Sequence, residues 1–206
     1  MRNNINTIRN CFISILLLLL VCICSGNASN VVTFLSHSVP GCNPATEYIG
    51  HTGNGSTGAA STVADVIACN LFTPTCSGNL NTFYIQHYLG NDQLVKGAVY
   101  LDDGDETPGT GDTKIEATAG SAHSTTTEWV NTAFGGSTPV STANKYWLCM
   151  ITGGGTANGW SRYYSNGATA YYKTVAGSYA APPATLQASF TSAANAKYSM
   201  YTTLGN

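Results

Sequence analysis

The densest chemistry in this chain is acidic. Asp102, Asp103, Asp105 and Glu106 crowd around Gly104, and Pro108, Gly109 and Asp112 follow closely. Half of the ten acidic residues fall between positions 102 and 112. Crowded carboxylates repel one another, and a hard cation such as Ca²⁺ relieves that by drawing oxygens from a flexible loop. The spacing is not that of an EF-hand, because Gly104 comes too early and no glutamate closes the loop. Asp102, Asp103, Asp105, Glu106 and Asp112 are therefore the candidate ligands of a Ca²⁺ site. The competing reading is a solvated loop shaped by its own Asx turns.

Aromatic residues supply the second kind of chemistry. Trp160, Tyr163, Tyr164, Tyr171 and Tyr172 cluster late in the chain. Exposed Tyr and Trp rings stack on sugars, cover sheet edges, form subunit interfaces or pack into a core. These five residues are carried forward as a glycan-stacking or interface set.

Catalytic constellations are missing from the sequence. His37, His51, His87 and His123 form no HExxH or HxH pattern, and no GxSxG occurs. A spread carboxylate pair that hydrolyses a glycoside is the least favoured expectation, because such enzymes usually need a longer chain to build a cleft. The expectation is a protein that is not an enzyme. Beyond position 26 the cysteines are Cys42, Cys69, Cys76 and Cys149, an even set that suits disulfides in an exported chain. Three connectivities are open. Cys69 and Cys76 flank a Thr-Pro-Thr turn and suggest a small loop, which would leave Cys42 for Cys149. Two sequons occur, Asn27-Ala28-Ser29 and Asn54-Gly55-Ser56, and Asn54 is the glycosylation candidate because it sits in a Gly-rich loop.

The elements that would position these groups begin after an export signal. Arg2 and Arg9 precede an apolar run from Phe12 to Cys24, and small residues follow. That order reads as a signal peptide over residues 1–26, cleaved near 26–28. The run is too short for a comfortable membrane span, so no span is expected in the mature chain. Cys22 and Cys24 stand where a lipidated cysteine would lie, but Val21 and Ile23 precede them where a small residue is wanted. Only 9% of residues are charged, against about 25% in an average chain, and the net charge is −2. No basic patch exists, so nucleic acid is not an expected partner. The acids all lie at or before Glu128, and after it come only Lys145, Arg162, Lys173 and Lys197. Opposed charged halves would favour head-to-tail attraction between copies, unless strands from both halves interleave.

No stretch carries a helical period. Strand signals recur between Gly, Asn, Pro and Ser clusters. The candidates are Val31 to Leu35, Leu80 to Tyr88, Leu94 to Leu101, Lys114 to Thr118, Glu128 to Phe134, Lys145 to Thr152, Ala188 to Phe190 and Lys197 to Thr203. Lys145 to Thr152 is apolar on both faces, which predicts a central strand covered on both sides, with Trp147 sealed between two layers. Trp160 to Tyr164 and Thr169 to Thr174 read as a hairpin about Asn166-Gly167. The expected architecture is one all-β domain over 27–206, an antiparallel, jelly-roll-like sandwich. Its strands should lie over 80–203, after a loop-rich part over 31–79.

The run Val95-Lys96-Gly97-Ala98-Val99-Tyr100-Leu101-Asp102 leads into the acidic loop. Glu128-Trp129-Val130-Asn131 and Thr142-Ala143-Asn144-Lys145-Tyr146-Trp147-Leu148 follow. This order, over about residues 50 to 203, resembles the jelly-roll modules similar to carbohydrate-binding modules in secreted and surface proteins of bacteria, archaea and their viruses. The resemblance implies a sandwich without catalytic residues. The four cysteines are not part of that pattern, and such modules are usually attached to larger proteins. The expectation is a secreted, cell-surface protein of structural or adhesive kind, self-associating into a filament or layer. The alternative is a module that binds surface glycans.

Overall fold

The computed structural model describes residues 42–43, 45–55, 57–58, 64–86, 94–120, 128–153, 162–164 and 168–206. The signal peptide, Val31 to Leu35, His37, His87, Tyr88, His123, Trp160 and the Asn166-Gly167 turn lie outside these. No helix occurs among the described residues. The strands are β1 (Tyr48–Gly50), β2 (Thr57–Gly58), β3 (Val66–Phe72), β4 (Gly78–Gln86), β5 (Val95–Leu101), β6 (Thr113–Ala117), β7 (Trp129–Ala133), β8 (Pro139–Val140), β9 (Tyr146–Thr152), β10 (Arg162–Tyr164), β11 (Thr169–Thr174), β12 (Thr191–Ala194), β13 (Lys197–Tyr198) and β14 (Met200–Gly205).

Two antiparallel sheets carry the fold, in the orders β12-β11-β3-β9-β5-β6 and β1-β14-β4-β7, with β8 also on β4. Three pairs are nested in sequence: β3 with β9, β4 with β7, and β5 with β6. The chain thus folds back on itself and wraps between the two layers, as a jelly-roll-like all-β sandwich does. Alternation along each strand builds the shared core. Phe83 and Ile85 of β4 and Met200 and Leu204 of β14 meet Ala68 and Phe72 of β3, Val95 and Val99 of β5, and Leu148 and Met150 of β9. At Gly97 the sheets touch so closely that a Cβ would stand 2.4 Å from Phe83 Cγ, so only glycine fits beneath that ring.

The outer face of the six-stranded sheet has a core of its own. Ile67, Cys69, Ala98, Tyr100, Trp147, Cys149 and Ile151 pack beneath Leu186, with Val175, Tyr179 and Phe190 alongside. The covering segment 175–190 is tied down at several points. Asp65 accepts from the Gly177 and Tyr179 N–H groups, both at 2.9 Å. Lys96 donates to the Tyr179 carbonyl at 2.7 Å, and Lys114 donates to the Pro182 carbonyl at 2.7 Å. β9 is buried along its whole length, as its two apolar faces require. Trp147 is completely buried, yet it lies under this segment rather than between the two sheets.

Four further expectations are corrected. Residues 31–79 are not merely loop-rich, since β3 sits at the middle of the larger sheet. Its sequence, Val-Ile-Ala-Cys-Asn-Leu-Phe, is buried on both faces and so shows no alternation. β10 and β11 form no hairpin: β10 pairs with β13 and β2, and β11 pairs with β12 and β3. Ala188 to Phe190 is not a strand; β12 begins just after it. The suggested cysteine pairing also gives way to another. Cys42 joins Cys76, and Cys69 joins Cys149, its direct partner across the β3–β9 ladder.

Candidate functional site

The acidic loop joins β5 to β6, two neighbouring antiparallel strands, so both ends are held by the sheet. Asp112 is fully buried at its base. Its Oδ1 accepts the Asp103 N–H at 3.1 Å and its Oδ2 accepts the Gly109 N–H at 2.7 Å. Burial pushes the Asp112 pKa up, the two backbone N–H groups oppose that, and the charges of Asp103 and Asp102 add to the rise. Asp102 accepts the Trp147 indole N–H at 3.2 Å, which ties the loop to the second core. Asp103 Oδ2 occupies the space where Gly111 lacks a Cβ, so Gly111 lets that carboxylate fold inward.

Asp102, Asp103 and Asp112 bring carboxylate oxygens within 4.8 Å of one another, close enough to share a cation. Asp105 and Glu106, expected as ligands beside them, are not in that group. Asp105 accepts the Thr107 N–H at 2.8 Å in an Asx turn, and Glu106 pairs with Lys145 in solvent. A cleft of about 370 Å³ opens beside that ion pair, lined by Asn70, Phe72, Glu106, Lys145, Trp147 and Tyr171. Asn70 is committed to the fold there: it donates to the Thr169 and Ala196 carbonyls and accepts the Tyr198 N–H.

Tyr171 and Tyr172 of the expected aromatic set lie on opposite faces of β11. Trp160 lies outside the described residues, and Tyr163 and Tyr164 belong to β10. Tyr171 packs edge-on against Trp147, with ring centroids 5.4 Å apart. Tyr172 points the other way and is 42% exposed.

A different group of rings is assembled on the smaller sheet. Tyr48 of β1, Tyr201 of β14, Tyr84 of β4 and Trp129 of β7 lie on its outer face, each partly exposed. Tyr201 is the centre. It stacks on Tyr84 at 4.7 Å and meets Trp129 and Tyr48 edge-on at 5.2 and 6.1 Å. Burial, and then the neighbouring Tyr84, push its pKa up. A polar rim adjoins Trp129. Asn54 Oδ1 accepts the Trp129 indole N–H at 3.0 Å and Gln86 Nε2 at 2.8 Å, and Gln86 Oε1 accepts the Gly55 N–H at 3.1 Å. Strand alternation puts Thr82, Asn131, Ala133 and Thr203 on the same face, with no Asp, Glu, Lys or Arg from these four strands. The four rings span more than 150 positions of sequence, from Tyr48 to Tyr201, so no local window contains them. The available signal is that Tyr84 and Tyr201 alternate with the core residues Phe83, Ile85, Met200 and Thr202.

No family model matches the chain, and no curated protein matches it in sequence. Fold and bonding define its class: an all-β antiparallel sandwich with two disulfides and, among the described residues, no helix long and apolar enough to cross a membrane.

Proposed function

We propose that the protein is a non-enzymatic extracellular surface protein, structural or adhesive, that works through the aromatic face of its smaller sheet. One contrast carries this reading. Segment 175–190 covers the middle of the larger sheet's outer face, over Ile67, Cys69, Ala98, Cys149 and Ile151, whereas the smaller sheet's outer face keeps Tyr48, Tyr84, Trp129 and Tyr201 partly exposed. A ring cluster left open to solvent suits a surface that meets another body. A second copy of the chain is the favoured partner, giving a filament or layer through repetition of one contact. Two disulfides and sparse charge suit a durable assembly outside the cell. Negative-stain microscopy and sedimentation of the native protein test it. Filaments, sheets or concentration-dependent oligomers that vanish in Tyr201→Ala support the reading, and a monomer at all concentrations opposes it.

A second reading has its own observation. The face joins ring surfaces to amide and hydroxyl groups and holds no ionised side chain from its four strands, which suits a neutral glycan, in keeping with the carbohydrate-binding resemblance. Saturable binding on a glycan array, lost in Tyr201→Ala, favours it over self-assembly. Calcium fits the same extracellular setting. A Ca²⁺ ion at Asp102, Asp103 and Asp112 would relieve their repulsion and brace the β5–β6 loop. Thermal unfolding with and without calcium, with Asp103→Asn as control, reads that directly.

A further inference from the structure

We propose that Asn54 carries an N-linked glycan, its amide oxygen kept by the protein and its amide nitrogen given to the sugar. The sequon Asn54-Gly55-Ser56 supplies the acceptor pattern, and Asn54 is exposed. The orientation of its amide follows from hydrogen-bond chemistry. An indole N–H only donates, so the Asn54 atom 3.0 Å from Trp129 Nε1 must be the oxygen. Gln86 independently requires the same. Its Oε1 is fixed by the Gly55 N–H, a pure donor, so its Nε2 faces Asn54 and donates at 2.8 Å. Gln86 is itself buried, which holds the arrangement in place.

Both bonds end on Oδ1, and neither uses Nδ2, the atom that N-glycosylation modifies. A glycosylated asparagine keeps its carbonyl oxygen as an acceptor, so both hydrogen bonds survive the modification. In the transfer, a C1–N bond forms between Nδ2 and a phosphate-activated sugar. The C1–O bond to the phosphate group breaks, the phosphate departs with the electron pair, and the nitrogen gives up one proton to the transferase. The sugar then stands beside Trp129 at the rim of the aromatic face. This inference does not depend on what that face binds.

Peptide mapping by mass spectrometry of the protein from its own source is the test. The peptide containing Asn54 should carry hexose or acetylhexosamine mass, and enzymatic deglycosylation should leave Asp at that position. Ser56→Ala, made in the same source, should remove the mass while leaving the circular dichroism unchanged. An Asn54 peptide found wholly unmodified would overturn the proposal, as would a glycan that persists in Ser56→Ala.

Discussion

Removing the central disulfide gives the most quantitative prediction. Cys69 and Cys149 are fully buried partners in the middle of the six-stranded sheet. Their link closes a loop with a sequence separation of 80, which the chain-entropy relation values at about 4.5 kcal/mol. The same relation values Cys42–Cys76, with a separation of 34, at about 3.8 kcal/mol. The variant Cys69→Ala/Cys149→Ala should therefore lose about 4.5 kcal/mol in reversible urea unfolding, with lost core packing adding to that. Each kcal/mol moves the midpoint of a domain this size by about 2–4 °C, so Tm should fall by about 9–18 °C. A thiol assay on the unfolded, unreduced variant, made without residues 1–26 and their three cysteines, should find no free thiol, because Cys42 and Cys76 remain joined. Two reactive thiols would mean the cysteines pair otherwise, and a loss under about 1 kcal/mol would refute the loop-closure reasoning.

Three further outcomes follow from the packing and the charges. Gly97→Ala drives a methyl group into the Phe83 ring and should cost about 1–3 kcal/mol, read as a lower urea midpoint; an unchanged midpoint would mean the sheets are not in contact there. Tyr201→Ala removes the ring shared by three aromatic contacts, each worth about 0.5–1.5 kcal/mol, so it should lower stability by about 1.5–4.5 kcal/mol while the far-ultraviolet spectrum stays that of a β protein. Burial, and then the Lys197 charge, hold the His51 pKa below its ordinary value of 6.5. The unfolded chain thus binds this proton first as pH falls, so His51 should make the protein less stable from pH 6.5 downward until the folded pKa is passed. His51→Gln should flatten that part of the stability profile, and a profile identical to wild type would contradict the assignment.

The legible parts of the fold were those written in an unbroken apolar run or in local alternation. Tyr146 to Thr152 announces a strand covered on both faces, and Val95, Gly97, Val99 and Leu101 announce their inward side. β3 was hidden because burial on both faces removes alternation, and because Cys69 and Asn70 break its aliphatic run. The supposed hairpin about Asn166-Gly167 shows the opposite failure. Local turn chemistry marks a reversal but not which strands pair, and here β10 and β11 belong to different sheets. The acidic loop was legible because its residues are contiguous, although only Asp102, Asp103 and Asp112 converge. The aromatic face was not, because strand order alone brings Tyr48, Tyr84, Trp129 and Tyr201 together.

Oxidative footprinting of those four rings is the most direct test of the aromatic face as the working surface. The isolated domain and the protein in its native state at its source would be labelled side by side. Tyr48, Tyr84, Trp129 and Tyr201 should react in the isolated domain and be protected in the native state, while Tyr172 reacts in both. Equal reactivity of the four rings in the two states would show that this face meets nothing.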